Sequence, residues 1–254
     1  MGNRGKTILI TGCAGFVGSS LAKSLQSNYR IIGVDDLSKG DENNLINVAI
    51  DFNKISCADI EQMSELFRRH SFFGIVHLAG NSSGEKSWED EITDYTSNVS
   101  STRVVCYLAN KYGVKHLLHA SSMSVYGDSK ELLTENSPRM PKTPYALSKC
   151  MAEEIIKFYR NQRNRLGWSS LRFFNIYGPG QDLNDLKQGM VSIFYALAKY
   201  RGEIIVKGSG ERTRDFIYIT DILSTIKLVM LKDSLPEAVN VCSGTSISVG
   251  TLTK

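Results

Sequence analysis

A short apolar run, Lys6-Thr7-Ile8-Leu9-Ile10-Thr11, opens directly into Gly12-Cys13-Ala14-Gly15-Phe16-Val17-Gly18, and nothing else in the chain limits its fold as strongly. Branched apolar residues in so short a run read as a buried parallel strand. Phe16, Val17, Leu21, Ala22 and Leu25 then recur at helical spacing, which places the glycines in a strand-to-helix turn. There, free amides at the positive end of a helix can hold phosphate oxygens. The three glycines serve a tight turn, close backbone approach to a pyrophosphate, and packing of helix on strand. A glycine triplet alone also fits an ordinary turn, so the context decides. Ile31-Ile32-Gly33-Val34-Asp35 reads as a second strand ending in a carboxylate, where a dinucleotide fold places the acceptor for the adenosine ribose hydroxyls. A carboxylate repels a 2'-phosphate and favours NAD over NADP; nearby Lys39 softens that preference, and a solvated strand end is the alternative reading of Asp35.

Strand and helix patterns alternate through the chain, which predicts an α/β fold, a doubly wound parallel sheet of the Rossmann type. A strand is expected within Phe52 to Cys57, followed by Asp59-Ile60 and a helix through Met63, Leu66 and Phe67. Gly74 to Ala79 reads as a strand ending in the small-residue loop Gly80 to Gly84, at the edge where open α/β sheets bind ligands. Thr93 to Tyr112 reads as a helix, His116 to Ala120 as a strand, and Ala152 to Arg165 as a helix with Lys149 near its start. Beyond Leu171 the pattern breaks at Gly178-Pro179-Gly180, with a helix from about Gly189 to Tyr200 and a turn at Gly208-Ser209-Gly210. This divides the chain into a nucleotide-binding part, 1–170, and a smaller substrate-binding part, 171–254, interleaved with it.

The 254 residues, 42% of them hydrophobic, suffice for one such domain with an appendage. A net charge of +4, with basic residues scattered, argues against nucleic acid. The five cysteines form no CxxC pair or metal spacing, so no metal and no disulfide framework is expected. A reducing cytoplasm fits them. The first strand starts too near Met1 for a signal peptide, and no apolar run approaches membrane-spanning length. Gly2 lacks an acylation motif, because Lys6 stands where Ser or Thr is needed. No membrane attachment is expected.

Tyr145-Ala146-Leu147-Ser148-Lys149 carries the chemistry. A tyrosine acts as a base near neutral pH only if its phenolate is stabilised, and a lysine one helical turn along, beside a cationic nicotinamide, does that. Ser122 closes the serine cluster at the end of a strand, where its hydroxyl can bind the substrate oxygen once the fold brings it in. The YxxxK spacing alone is common on exposed helices. Combined with the glycine turn, the strand-end carboxylate and the serines, it points to redox chemistry on a hydroxyl.

These motifs, with Asp35-Asp36-Leu37-Ser38, Asp59-Ile60, His77-Leu78-Ala79-Gly80, Asn98, Ser121 to Gly127, Leu171 to Pro179 and Arg212 to Tyr218, span nearly the whole chain in order. In them the chain resembles the extended short-chain dehydrogenase/reductases, the NAD-dependent nucleotide-sugar epimerases and dehydratases, with a pattern closest to UDP-glucose 4-epimerases. The resemblance implies that Gly12, Gly15, Phe16, Val17, Gly18, Asp35, Asp36, Ser38, Asp59, Ile60, Leu78, Ala79, Gly80, Asn98, Tyr145, Lys149 and Phe174 serve NAD, with Asp59 and Ile60 flanking the adenine. It implies that Asn175 and Arg214 meet the sugar-nucleotide diphosphate. Ser124 either touches the sugar or caps its own loop. Asn98 has the alternative of satisfying a loop carbonyl, and Arg214 that of a local ion pair with Asp215. Tyr126 and Phe173 read as core, and His77 as a packed, hydrogen-bonded residue.

Within the family, dehydratases resemble Thr-Asp-Glu before Val-Tyr-Gly, and decarboxylases carry a glutamate there. Here Met123 and Ser124 stand in those places, so the resemblance implies oxidation and reduction alone, as 4-epimerization of a UDP-sugar requires. Three departures bear on the substrate. The chain is shorter than the family's usual length, so the C-terminal part is expected to be truncated, without a second diphosphate-binding arginine. Lys207 stands where relatives often carry an aromatic, and Ser82 where the closest pattern has a lysine. A 4-ketoreductase or dehydrogenase of nucleotide sugars and a non-catalytic dinucleotide-binding protein are the competing readings. The resemblance also implies a homodimer paired through the Thr93 to Tyr112 and Ala152 to Arg165 helices.

Overall fold

The computed structural model describes residues 5–129, 131–162, 165, 167–206 and 208–254. Gly2 and Lys207, both discussed above, lie outside the described residues. Seven parallel strands form the main sheet in the order β3-β2-β1-β4-β5-β6-β9. They are β1 (Thr7–Thr11), β2 (Arg30–Asp35), β3 (Asp51–Lys54), β4 (Gly74–His77), β5 (His116–Ser122), β6 (Trp168–Phe173) and β9 (Ala238–Val241). Winding reverses between β1 and β4, which makes a crevice at the carboxyl ends of those two strands. Thr11 pairs with His77, His77 with His119, and Ser122 with Phe173, so every strand-end motif opens on the same edge.

Helices cover both faces. On one side α1 (Phe16–Leu25) and α7 (Ile219–Val229) pack on Ile8, Ile10, Val76 and Leu118. On the other, α2 (Ile60–Arg69), α4 (Ser101–Lys111) and α5 (Pro144–Gln162) pack on Leu9, Ile32, Ile75 and Leu117. This explains why the central strands are apolar without alternation: both of their faces are buried. A three-stranded sheet, β10-β8-β7, lies apart from the main one and is built from β7 (Asn175–Tyr177), β8 (Thr213–Tyr218) and β10 (Ser246–Ser248). Helix α6 (Met190–Arg201) and the short α8 (Val249–Leu252) accompany it.

Several expected boundaries move. The third strand is Asp51–Lys54 rather than the Phe52 to Cys57 region, because Cys57 already belongs to the buried packing under α2. Helix α5 begins at Pro144 rather than near Ala152, since proline suits a first helical position, and it ends at Gln162. The helix expected from Thr93 starts as α3 (Glu91–Tyr95), capped by the Asp90 carboxylate on the Thr93 amide, and passes through a π-helical turn, Thr96–Ser100, into α4. Strand β6 straddles residue 170 and β9 adds to the main sheet, so residues from both parts of the chain build the nucleotide sheet. No helix among the described residues is long and apolar enough to cross a membrane.

Candidate active site

The glycine turn is closed to larger residues. Gly12 has φ +67, donates its amide to the Val34 carbonyl at 2.7 Å, and faces the Ala79 nitrogen, which a Cβ would meet at 2.7 Å. A Cβ on Gly18 would lie 2.0 Å from the Gly12 carbonyl oxygen, so α1 rests directly on the turn. Gly15 is the N-cap of α1 and supplies no side-chain cap, which leaves the first amides of the helix, at Phe16, Val17 and Gly18, without intrahelical acceptors. Asp35 braces the turn: its carboxylate accepts from the Ala14 and Leu37 amides, each at 2.9 Å. Burial pushes this carboxyl up and the two amides oppose it. Asp36, exposed, accepts from the Ser38 amide at 2.9 Å.

Asp59 caps α2, accepting the Glu61 and Gln62 amides at 3.0 Å, and those bonds hold its carboxyl below the usual range, the Gln62 amide foremost. Its neighbour Ile60 is an exposed apolar side chain at the same edge. The Leu78 and Ala79 amides both donate to the Thr11 hydroxyl at 3.2 Å. With two donors already bound, that hydroxyl gives its proton to His77 Nδ1 at 2.7 Å. His77 then donates from Nε2 to Thr102 at 3.1 Å, and Thr102 donates to the Asn98 carbonyl at 2.6 Å. Burial holds His77 neutral, drawing it down to about 3. It is a fastener between β1, β4 and the π-turn. Nothing in the one-dimensional pattern signals Thr11 or Thr102.

Ser122, Tyr145 and Lys149 come together. Tyr145 is buried; burial raises the phenol to about 12, the Ser122 hydroxyl opposes the rise and Asp94 adds to it. Lys149 Nζ donates to the Ala120 carbonyl at 2.9 Å and lies 5.9 Å from the Tyr145 ring centre. Burial draws Lys149 down to about 8, against the attraction of Asp94 and Glu153. Beneath this group, Glu153 accepts from Ser121 at 2.6 Å and from the Arg172 guanidinium at 2.8 and 2.7 Å, with Arg139 adding a bond at 3.1 Å. Arg172 also reaches the Tyr126 hydroxyl at 2.8 Å. Ser121, next to the catalytic candidate Ser122, is thereby tied to the helix that carries Tyr145 and Lys149. Glu153, one turn beyond Lys149, was legible only as a helix charge.

Asn98 Nδ2 donates to Asp94 at 3.2 Å and to Ser148 at 3.0 Å, side chains rather than a loop carbonyl, while its Oδ1 is buried with no partner among the described residues. Asp94, which the sequence pattern did not single out, is 1% exposed and also accepts from Asn81 and Ser148. Spacing alone places Asp94 on the face of Asn98, one turn earlier.

On the substrate side, Asn175 donates to the Asp215 carbonyl at 2.7 Å and touches Met123 Sδ at 3.5 Å. Arg214 bonds the Thr213 carbonyl at 2.8 Å. Its expected alternative partner, Asp215, instead takes Ser243 and Gly244, so no Arg214–Asp215 ion pair forms. Ser122, not Ser124, caps the Met123–Tyr126 turn by accepting the Ser124 amide at 3.2 Å, and Ser124 Oγ is buried with no partner among the described residues. The loop-capping alternative for Ser124 therefore falls. Phe174 is half-buried, its amide bonded to Val241. Ser82 accepts from Gln188 at 2.6 Å, and Lys86 pairs with Asp185 at 2.7 Å, so the loop after β4 is latched to the segment before α6.

An uncapped helix start, Gly12 and Gly18 closed to any Cβ, a strand-end carboxylate and an unpartnered buried acceptor on Asn98 all fit a bound dinucleotide. Residues 8–242 match the profile of the NAD dependent epimerase/dehydratase family. The chain is 34% identical over 248 residues, 96% of its length and 79% of the relative's, to a putative UDP-glucose 4-epimerase of Methanocaldococcus jannaschii. Among solved structures it resembles UDP-glucose 4-epimerase from Thermotoga maritima with UDP-glucose (TM-score 0.90, 32% identity, 97% of this chain and 80% of that one). It also resembles dTDP-glucose 4,6-dehydratase from Bacillus anthracis in complex with NAD (TM-score 0.86, 26% identity, 98% and 79%). The chain belongs to the NAD-dependent epimerase/dehydratase family of the extended short-chain dehydrogenase/reductases, with NAD as its cofactor.

Proposed function

We propose that the protein interconverts the C4 epimers of a nucleotide sugar, a UDP-sugar by preference, through a transient 4-keto sugar. One observation carries this reading: Ser122, Tyr145 and Lys149 converge, while the turn beside them holds Met123 and Ser124 and no acid for eliminating water. Bound NAD supplies reversible hydride transfer and, when oxidised, a positive charge that draws the Tyr145 phenol down towards working pH. Tyr145 takes the proton of the sugar 4-hydroxyl, Ser122 holds that oxygen, and Lys149 stabilises the phenolate. After the keto sugar turns over, Tyr145 returns the proton while C4 is reduced on its opposite face. Asn175 has a second amide hydrogen spent only on a weak contact with Met123 sulfur, and this hydrogen and the Arg214 guanidinium are the donors for the diphosphate.

We further infer a homodimer. Leu147, Met151 and Phe158 recur at helical spacing along α5 and remain exposed, as do Ile92, Tyr95 and Tyr107 along α3 and α4. A monomeric mass in light scattering would remove this part of the reading. For the reaction, the purified protein is denatured and any released nucleotide identified. A second aliquot is incubated with UDP-glucose and UDP-N-acetylglucosamine without added NAD and followed by NMR. Retained NAD with appearance of the 4-epimer is the expected result. No epimer from either sugar, with added reduced cofactor consumed when a UDP-4-keto sugar is supplied, would replace epimerization by one-way ketoreduction.

A further inference from the structure

We propose that Asp94 is a positioning residue for the Tyr145–Lys149 pair: its buried carboxylate dictates which way the Asn98 amide faces and supplies a counter-charge to Lys149. The proposal rests on the redox reading of Ser122, Tyr145 and Lys149. Asp94 lies on α3, and its two oxygens accept from Asn81 Nδ2 at 2.9 Å, Asn98 Nδ2 at 3.2 Å and Ser148 Oγ at 2.6 Å. All three donors are neutral. Among the described residues no lysine or arginine lies within ion-pair distance of it. A carboxylate buried in that way needs a positive charge in its field. Lys149, 4% exposed, is the cation whose charge Asp94 favours.

The other groups around Lys149 leave the larger share of this task to Asp94, with Glu153 second. Glu153, on the same helix, already faces the guanidiniums of Arg172 and Arg139. His77 on β4 and His119 on β5 are both held neutral by burial. Tyr145 is held protonated by burial in the free site.

The hydrogen bonds also fix a direction. Ser148 has one proton, and Asp94 Oδ2 takes it over the shortest of the contacts, so Ser148 Oγ meets Asn98 Nδ2 as an acceptor at 3.0 Å. Both hydrogens of the Asn98 amide are then spent on Asp94 and Ser148. Turning the amide over would set its oxygen against an acceptor-only carboxylate, so the amide stays as it is. Asn98 Oδ1 therefore points at Gly80, 2.3 Å from where a Cβ there would sit, a place 3.4 Å from Lys149 Nζ. Buried and unpartnered, it is an acceptor offered on the ammonium side of the site.

The test replaces Asp94→Asn in the full chain and follows the Lys149 side chain by NMR with lysine labelled at Cε, the signal being assigned with Lys149→Met. Loss of the charge is expected to lower the Lys149 midpoint by about one pH unit, and Asp94→Glu to preserve it. Asp94 also opposes Tyr145 ionisation, so both limbs of the pH–rate profile should slide together to lower pH in Asp94→Asn. An unmoved Lys149 midpoint, or a profile that loses height without sliding, overturns the proposal. If Asp94→Asn does not fold, Asp94→Ser, which keeps an oxygen and admits a water, is read in the same way. The titration needs no sugar. A shifted midpoint in a protein inert towards nucleotide sugars refutes the epimerase reading alone, whereas turnover with an unshifted midpoint refutes the role of Asp94 alone.

Discussion

Gly18→Ala is the sharpest perturbation of the nucleotide site. The added Cβ would lie 2.0 Å from the Gly12 carbonyl oxygen and 2.8 Å from Cys13 Cα, both backbone atoms that cannot rotate away. Reaching ordinary contact requires the start of α1 and the glycine turn to separate by about 1.5 Å. A displacement of that size takes the first amides of α1 out of hydrogen-bonding range of a phosphate. Each such bond to a charged acceptor contributes roughly 1.5 to 3 kcal/mol, so losing two weakens NAD binding by about 3 kcal/mol or more, on the order of a hundredfold. Gly15→Ala is the comparison, because its Cβ would meet only the Gly12 oxygen at 3.4 Å and its φ of −78 is ordinary. The assay is the amount of nucleotide released from purified protein, followed by calorimetric titration of NAD into stripped protein, with circular dichroism to establish folding. Gly15→Ala should fold as the parent does. Folded Gly18→Ala protein with undiminished NAD content and affinity would refute the claim that this contact aligns the helix start.

Glu153→Gln leaves the Arg172 guanidinium buried without its carboxylate, both side chains being 6% exposed, and should destabilise the fold by about 3 kcal/mol; an unchanged urea midpoint would remove the network from the account. Tyr145→Phe should retain NAD and lose at least about a hundredfold in turnover; a rate close to the parent's would transfer the base to another group. Burial depresses His77 to about 3 in the folded chain, so stability is full above the unfolded value near 6.5 and is lost as pH falls towards 3. Denaturant unfolding between pH 7 and pH 5 should show stability falling by roughly 1.4 kcal/mol per pH unit below about 6.5, more with the similarly buried His119, whereas a flat dependence would mean that neither histidine is held neutral.

The features legible in the sequence were those that demand a particular residue at a particular place. No Cβ fits at Gly12 or Gly18, so the turn announces itself. Apolar runs with both faces buried made the central strands readable, while the edge strand β3, half-exposed and only four residues long, was misplaced. The helix of Tyr145 starts earlier than its apolar periodicity suggests, because Pro144 takes a first-turn position ahead of it. The placing of the Gly80 to Gly84 loop at the ligand-binding edge was also readable, whereas the order in which the strands pair was not.

Illegible were the residues whose function depends on what surrounds them. An aspartate is as common on a solvated helix as in a buried cluster, and only the packing of α3 against α5 turns Asp94 into the partner of Ser148 and Asn98. Glu153 and Arg172 are far apart in the chain and meet because β5, β6 and α5 converge behind Ser121. Both carboxylates reach Lys149 by its field rather than by contact, and burial, which no spacing encodes, decides how strongly that field acts. The sequence therefore names the groups that touch the reacting hydroxyl, whereas the groups that set their protonation emerge only from the folded chain. Chains in this family with the same Ser, Tyr and Lys but neutral residues at the places of Asp94 and Glu153 should accordingly share the chemistry and differ in the pH at which they perform it.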